Sequence, residues 1–118
     1  MAGEPIEGEI LLLAGAKSSL DPSRVSDLVD VVQAELGDEV GRYRREFERV
    51  HRDEDREAFL AVADHWETVG ERLGFDDREV DAVRRAHTEQ LRRLGRREGR
   101  LGEFETALEI RDAVIVGV

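Results

Sequence analysis

Three histidines, His51, His65 and His87, are the side chains of this 118-residue chain whose ordinary titration lies nearest neutral pH. Glu48 and His51 have the Glu-x-x-His spacing that, on a helix, sets a carboxylate and an imidazole on one face, as in di-iron bundles. Such a centre needs a second pair and two further inward glutamates, and the chain has no second pair. His87 falls on an apolar stripe and reads as a core histidine. His65 and Trp66 lie between Asp64 and Glu67; they line a pocket only if the fold builds one, and Trp66 is first of all a core anchor. The absence of cysteine removes thiolate metal ligands, thiol nucleophiles and disulfides together. Phosphate loops and Gly-x-Ser-x-Gly elbows are missing too. With 28 acidic residues, no carboxylate pair stands out as acid and base. The expectation is a non-enzymatic chain with no cofactor and no bound metal.

Positive charge is concentrated in one place. Residues 84–100 hold Arg84, Arg85, Arg92, Arg93, Arg96, Arg97 and Arg100 against Glu89 and Glu98 only, in a chain of net charge −10. This candidate interaction surface has three readings: phosphate backbones, an acidic partner, or ion pairs with acidic helix faces of the same chain or of a second copy. Aromatic residues that would stack bases are not interleaved with it. Just upstream, residues 66 to 85 are similar to the helix-turn-helix of many transcriptional regulators. Val69 and Leu73 stand at the apolar positions of the first helix, Gly74 at the turn, Phe75 after it, and Val80 and Val83 in the second helix. Gly70 stands where alanine is usual, and the would-be recognition helix opens with Asp76, Asp77, Glu79 and Asp81, which repel phosphate.

The elements that must hold these residues read as helices. Ile10 to Ala14 is an apolar run; with no second convincing strand to pair with, it reads as a helix reaching about Ser18 and buried on most sides. Asp21-Pro22 is an N-cap followed by proline at the first helical position. Val25, Leu28, Val32, Leu36, Val40, Tyr43, Phe47 and Val50 then keep helical phase across Gly37, which predicts one helix from 22 to 51. Asp53 caps the next helix, with Phe59, Val62, Trp66, Val69 and Leu73 as its buried stripe and Gly74 as its stop. Asp76 or Asp77 caps the last long helix, which breaks or bends between Gly95 and Gly102 because glycine costs about 1 kcal/mol there relative to alanine. The tail from Ala113 to Val118 is apolar enough to dock on the core or a partner.

The fold expected is therefore a single all-α domain, a bundle of four or five helices. Its parts are a short apolar element (1–20), a long helix (21–52), the Trp66 helix (53–74), the arginine-rich helix (76–100), and a C-terminal helix with its tail (101–118). An αα-corner turns at Leu73, Gly74 and Phe75, which with Trp66 are the core anchors.

Composition sets the context. Seventeen of the 18 basic residues are arginine and one, Lys17, is lysine. Acidic excess with so little lysine is the balance of a cytosolic protein kept soluble in molar salt. No run reaches the roughly 20 apolar residues of a membrane helix, and nothing resembles a secretory signal. A cytoplasmic, salt-adapted protein is expected. The strings Tyr43-Arg44-Arg45, His65-Trp66, Val69 through Phe75, Arg84 through His87, Phe104-Glu105 and Ile110-Arg111 resemble those of a family of small uncharacterised haloarchaeal proteins. That resemblance implies a halophilic setting and carries no site residues. The function expected is a protein–protein interaction or self-association module; the alternative is a nucleic-acid binder using residues 84–100. The partner expected is thus another protein or a second copy, and not a membrane.

Overall fold

The side chain of Asp21 accepts from the Ser23 N–H at 2.9 Å, and Pro22 opens helix α2 (Pro22–Glu46), which passes Gly37 unbroken. Helix α1 (Gly8–Ser18) precedes it. In this computed structural model, which describes residues 4–118, α1 is not buried on most sides: Leu12 and Leu13 face outward while Ile10 and Ala14 face the core.

From Phe47 onward the all-α, helical-bundle expectation is overturned. Phe47 takes extended backbone geometry and ends α2. Strands β1 (Glu48–Arg52), β2 (Arg56–Ala61) and β3 (Asp112–Gly117) form an antiparallel sheet in the order β1-β2-β3, with a bulge in β1 between Arg49 and His51. The helix predicted through His51 stops short, and the one predicted from Asp53 does not start there. The Asp53 carboxylate instead accepts from the N–H groups of Asp55 (2.8 Å) and Arg56 (3.0 Å), shaping the β1–β2 turn. The Trp66 helix, α3 (His65–Leu73), begins only after β2. The predicted C-terminal tail is β3 itself.

The reason lies in where β2 sits. It is the middle strand and every one of its residues is buried. A strand covered on both faces loses the polar–apolar alternation that marks a half-exposed one. Ala58 and Leu60 pack into one cluster with Ile10, Val25, Leu94, Phe104 and Ile115. Phe59 and Ala61 pack into another with Leu36, Tyr43, Trp66, Val114 and Val116. The charged residues of β2 are buried with partners, as burial demands. Arg56 donates to the Pro5 carbonyl (2.9 Å), the Glu4 carbonyl (2.8 Å) and Asp53 (3.0 Å), tying the N-terminal lead to the sheet. Glu57 is held by Arg44 and Arg49, and their guanidiniums keep its carboxyl below the usual range.

Helix α4 (Asp77–Glu98) starts with a reciprocal capping box between Asp76 and Glu79 and ends at Gly99 with φ +70°. Helix α5 (Leu101–Leu108) follows. The predicted break falls at Gly99; Gly95 and Gly102 stay helical, and a Cβ at Gly95 would sit 2.8 Å from Phe104, so its smallness lets α5 fold onto α4.

The free edge of β3 is closed by side chains. Gln33 of α2 donates to the Ile115 carbonyl (2.7 Å) and accepts the Gly117 N–H (2.9 Å). His87 of α4 accepts the Ile115 N–H (2.9 Å), and the Trp66 indole donates to the Ala113 carbonyl (2.9 Å). Three helices thereby satisfy an edge that would otherwise pair with another strand.

Candidate functional site

The arginine segment lies along α4 and at its end, and the fold supplies it with carboxylates. Arg84 bonds Glu67 (3.3 Å), Arg85 bonds Asp81 (2.8 Å), and Arg92 bonds Glu89 (2.8 Å). Arg93 reaches Glu9 (3.1 Å) and Arg97 reaches Glu7 (2.6 Å), joining α4 to α1; the Arg97 guanidinium holds the Glu7 carboxyl down at about 2. Arg100 bonds Glu103 (2.7 Å) and the Val50 carbonyl (2.6 Å), so it also covers the bulge in β1. Arg96 is exposed at the end of the row. Of the three readings open for this segment, the geometry matches ion pairing within the chain.

The helix-turn-helix resemblance holds as far as the corner. Gly74 caps α3 with φ +77°, and the Phe75 N–H bonds the Gly70 carbonyl at 2.8 Å. Trp66 is buried, while Leu73 and Phe75 are half-buried against its cluster. The departure at Gly70 has a steric cause: a Cβ there would meet the Val80 side chain at 2.3 Å, so glycine lets α4 cross α3 this closely without displacing Val80. The groove between these helices, about 500 Å³, is lined by Glu67, Glu71, Asp77 and Asp81 around Phe75, Val80 and Arg84, a charge that opposes phosphate.

Glu48 and His51 sit on β1, where the helical logic of Glu-x-x-His does not apply. Glu48 pairs with Arg111 (2.9 Å), and His51 lies between Asp53 (2.6 Å) and Glu98. Among the described residues no group of three or more His, Asp or Glu is arranged to hold a metal ion. No helix among them is long and apolar enough to cross a membrane.

His65, Trp66 and His87 form a buried ring cluster, His65 perpendicular to Trp66 (centroids 4.4 Å apart) and His87 tilted against it (4.3 Å). His87 accepts through Nδ1, so Nε2 carries its proton; burial lowers its pKa to about 3 and keeps it neutral. The Tyr43 hydroxyl and His65 Nε2 are hydrogen-bonded, and burial, helped by the Arg42 and Arg72 charges, lowers the His65 pKa to about 4. His65 Nδ1 is buried without a protein partner among the described residues. His65 does line a pocket, a cavity of about 140 Å³ between the end of α2 and α3, with Arg42, Tyr43, Thr68 and Arg72 as its polar groups and Phe47, Val62 and Val69 as its apolar wall. The His65-Trp66 pair hinted at this in the sequence. Arg42 and Arg72, far apart along the chain, carried no signal for it.

A second feature escapes sequence reasoning altogether. Two adjoining grooves of about 230 and 350 Å³ share Glu48, Leu60, Ile110 and Arg111. Their floor includes buried Val50, Leu60 and Phe104, and Ile110 (71% exposed) and Val62 (56% exposed) stand on the rim. Isolated apolar surface residues are ordinary; two beside an apolar groove form a patch.

A family model described as a domain of unknown function (DUF8048) matches residues 4–118. The chain belongs to this family. Neither a curated protein nor a solved structure matches it. This DUF8048 member offers another molecule an arginine row already paired, an acidic corner, a small arginine-lined pocket and an apolar groove.

Proposed function

We propose that this DUF8048 protein is a non-enzymatic interaction module that docks a partner protein on the groove flanked by Ile110 and Val62. The observation that carries the reading is the exposure of those two side chains over an apolar floor. Covering them would remove from water two residues each worth about 1.5–3 kcal/mol when fully buried. Glu46, Glu48 and Glu103 line the grooves beside the single basic residue Arg111, itself bound to Glu48. The occupant that complements this rim is a segment with a large apolar residue between basic ones. A second copy would bring carboxylates against carboxylates, so it is the lesser choice.

The arginine segment takes a structural role in this reading, because Glu7, Glu9, Glu67 and Glu89 already neutralise much of its charge. A halophilic, cytosolic setting accords with the acidic, lysine-poor composition.

The test is to pan a random peptide library on the wild type and on Ile110→Asp and Val62→Asp variants shown to be folded. Peptides pairing an apolar residue with Arg or Lys should be enriched on the wild type and lost on both variants. Enrichment that survives the substitutions, or none at all, would overturn the proposal. A concentration-dependent dimer abolished by Ile110→Asp would make the second copy the occupant. Binding to nucleic acid that falls steeply with salt would restore the phosphate reading.

A further inference from the structure

We propose that the pocket between the end of α2 and α3 binds a small organic carboxylate, its charge taken by Arg42 and Arg72 and its apolar part by the Phe47 side of the cavity. At about 140 Å³ the space matches one small organic molecule; an apolar cavity of roughly 150 Å³ holds benzene. Two arginines line it in a chain whose net charge is −10. Both are partly engaged, Arg42 with Glu39 (2.8 Å) and Glu46 (3.6 Å) and Arg72 with Glu35 (3.1 Å), but a guanidinium has more donors than these contacts use. The Arg42 guanidinium also lies 5.0 Å over the Tyr43 ring, which holds it at the mouth.

Neutral polar groups line the pocket as well. If the Tyr43 hydroxyl donates to His65 Nε2, the imidazole proton sits on Nδ1, a buried donor with no protein acceptor among the described residues. That nitrogen is covered, so recognition of the ligand falls to the two arginines and not to His65. The Thr68 hydroxyl adds another polar group. Both arginine charges are felt at His65, consistent with a positive potential inside the cavity. Guanidiniums favour a carboxylate over a neutral ligand because charge-assisted bidentate bonds are stronger. The apolar wall favours one with a hydrocarbon part over a bare inorganic ion.

Trp66, the only tryptophan, has its ring 4.4 Å from that of His65 and reports on the site. Benzoate titrated into the full chain, followed by tryptophan fluorescence and calorimetry, should bind saturably. Arg72→Gln and Arg42→Gln should each weaken binding about tenfold or more, the loss of one charge-assisted contact. Arg78→Gln, an exposed change on α4, should leave it unchanged. Circular dichroism checks that each variant folds, and the two arginine variants serve as independent tests. No saturable signal up to ~10 mM, or unchanged affinity in both variants, would overturn the proposal. So would displacement by equimolar chloride, which would show a bare anion site.

Discussion

His87 Nδ1 accepts the Ile115 N–H at 2.9 Å, a bond that joins the middle of α4 to the outer edge of β3. Both residues are buried, so neither group has water to fall back on. Replacing His87 with Phe keeps a ring but strands the Ile115 N–H. Leaving a buried donor unmet costs about 1–3 kcal/mol. The substitution also removes the buried Nε2–H, which has no partner among the described residues, so urea unfolding of His87→Phe should show a loss at or below that range; an unchanged midpoint would mean that the edge bond contributes no more than the unmet Nε2–H costs.

The two buried histidines also set the pH response. Their folded-state pKa values, about 4 for His65 and about 3 for His87, lie below the unfolded value of 6.5. Below pH 6.5 the unfolded chain therefore takes up protons that the folded chain refuses. Stability is full above that pH and falls as pH drops toward the folded values, by up to about 1.4 kcal/mol per pH unit for each histidine. Urea midpoints taken between pH 7 and pH 5 should decline, and the decline should be shallower in a folded His65→Gln variant. A flat profile would show that these imidazoles stay accessible to protons.

Two glycines inside helices should respond in opposite directions. Gly70→Ala forces a Cβ to 2.3 Å from Val80, an overpacking that costs about 1–3 kcal/mol. Combining it with Val80→Ala should recover part of that loss, as a double-mutant cycle would show. Gly37→Ala meets nothing within 4 Å in the middle of α2, and should stabilise by about 0.5–1 kcal/mol. Thermal unfolding of the single variants tests the contrast directly.

Changing Arg92, Arg93, Arg96 and Arg97 together to Gln removes the pairs that tie α4 to Glu7, Glu9 and Glu105, and the Arg92–Glu89 pair within α4. Partly exposed pairs contribute about 1 kcal/mol or less each. The variant should lose stability modestly, and light scattering should give the same mass as for the wild type. A dimer that becomes a monomer would place the arginines in a protein interface instead.

Local chemistry was legible along the chain. Asp21-Pro22 opens α2, Gly74 closes α3 and Asp76 caps α4, because caps depend on a few neighbouring residues and their backbone geometry. The spacing of Val25, Leu28, Val32 and Leu36 marked a helix face for the same reason. The sheet was not legible. In residues 56–61 burial on both faces erased the strand period, and the tail from Ala113 to Val118 read only as an apolar segment that docks, because its strand partner is some fifty residues away in sequence. Asp53 illustrates the limit: its side chain was suited to satisfying nearby N–H groups, but whether it capped a helix or a hairpin depended on what packed around β2. The sequence by itself determined the caps, the acidic surface and the unusual row of arginines. Only the tertiary structure decided that the row would be paired with Glu7 and Glu9, that Arg42 and Arg72 would line one pocket with His65, and that Ile110 and Val62 would line one groove. Each of those meetings joins residues distant in the chain, and the sheet and helix packing that brings them together has no local signal to read.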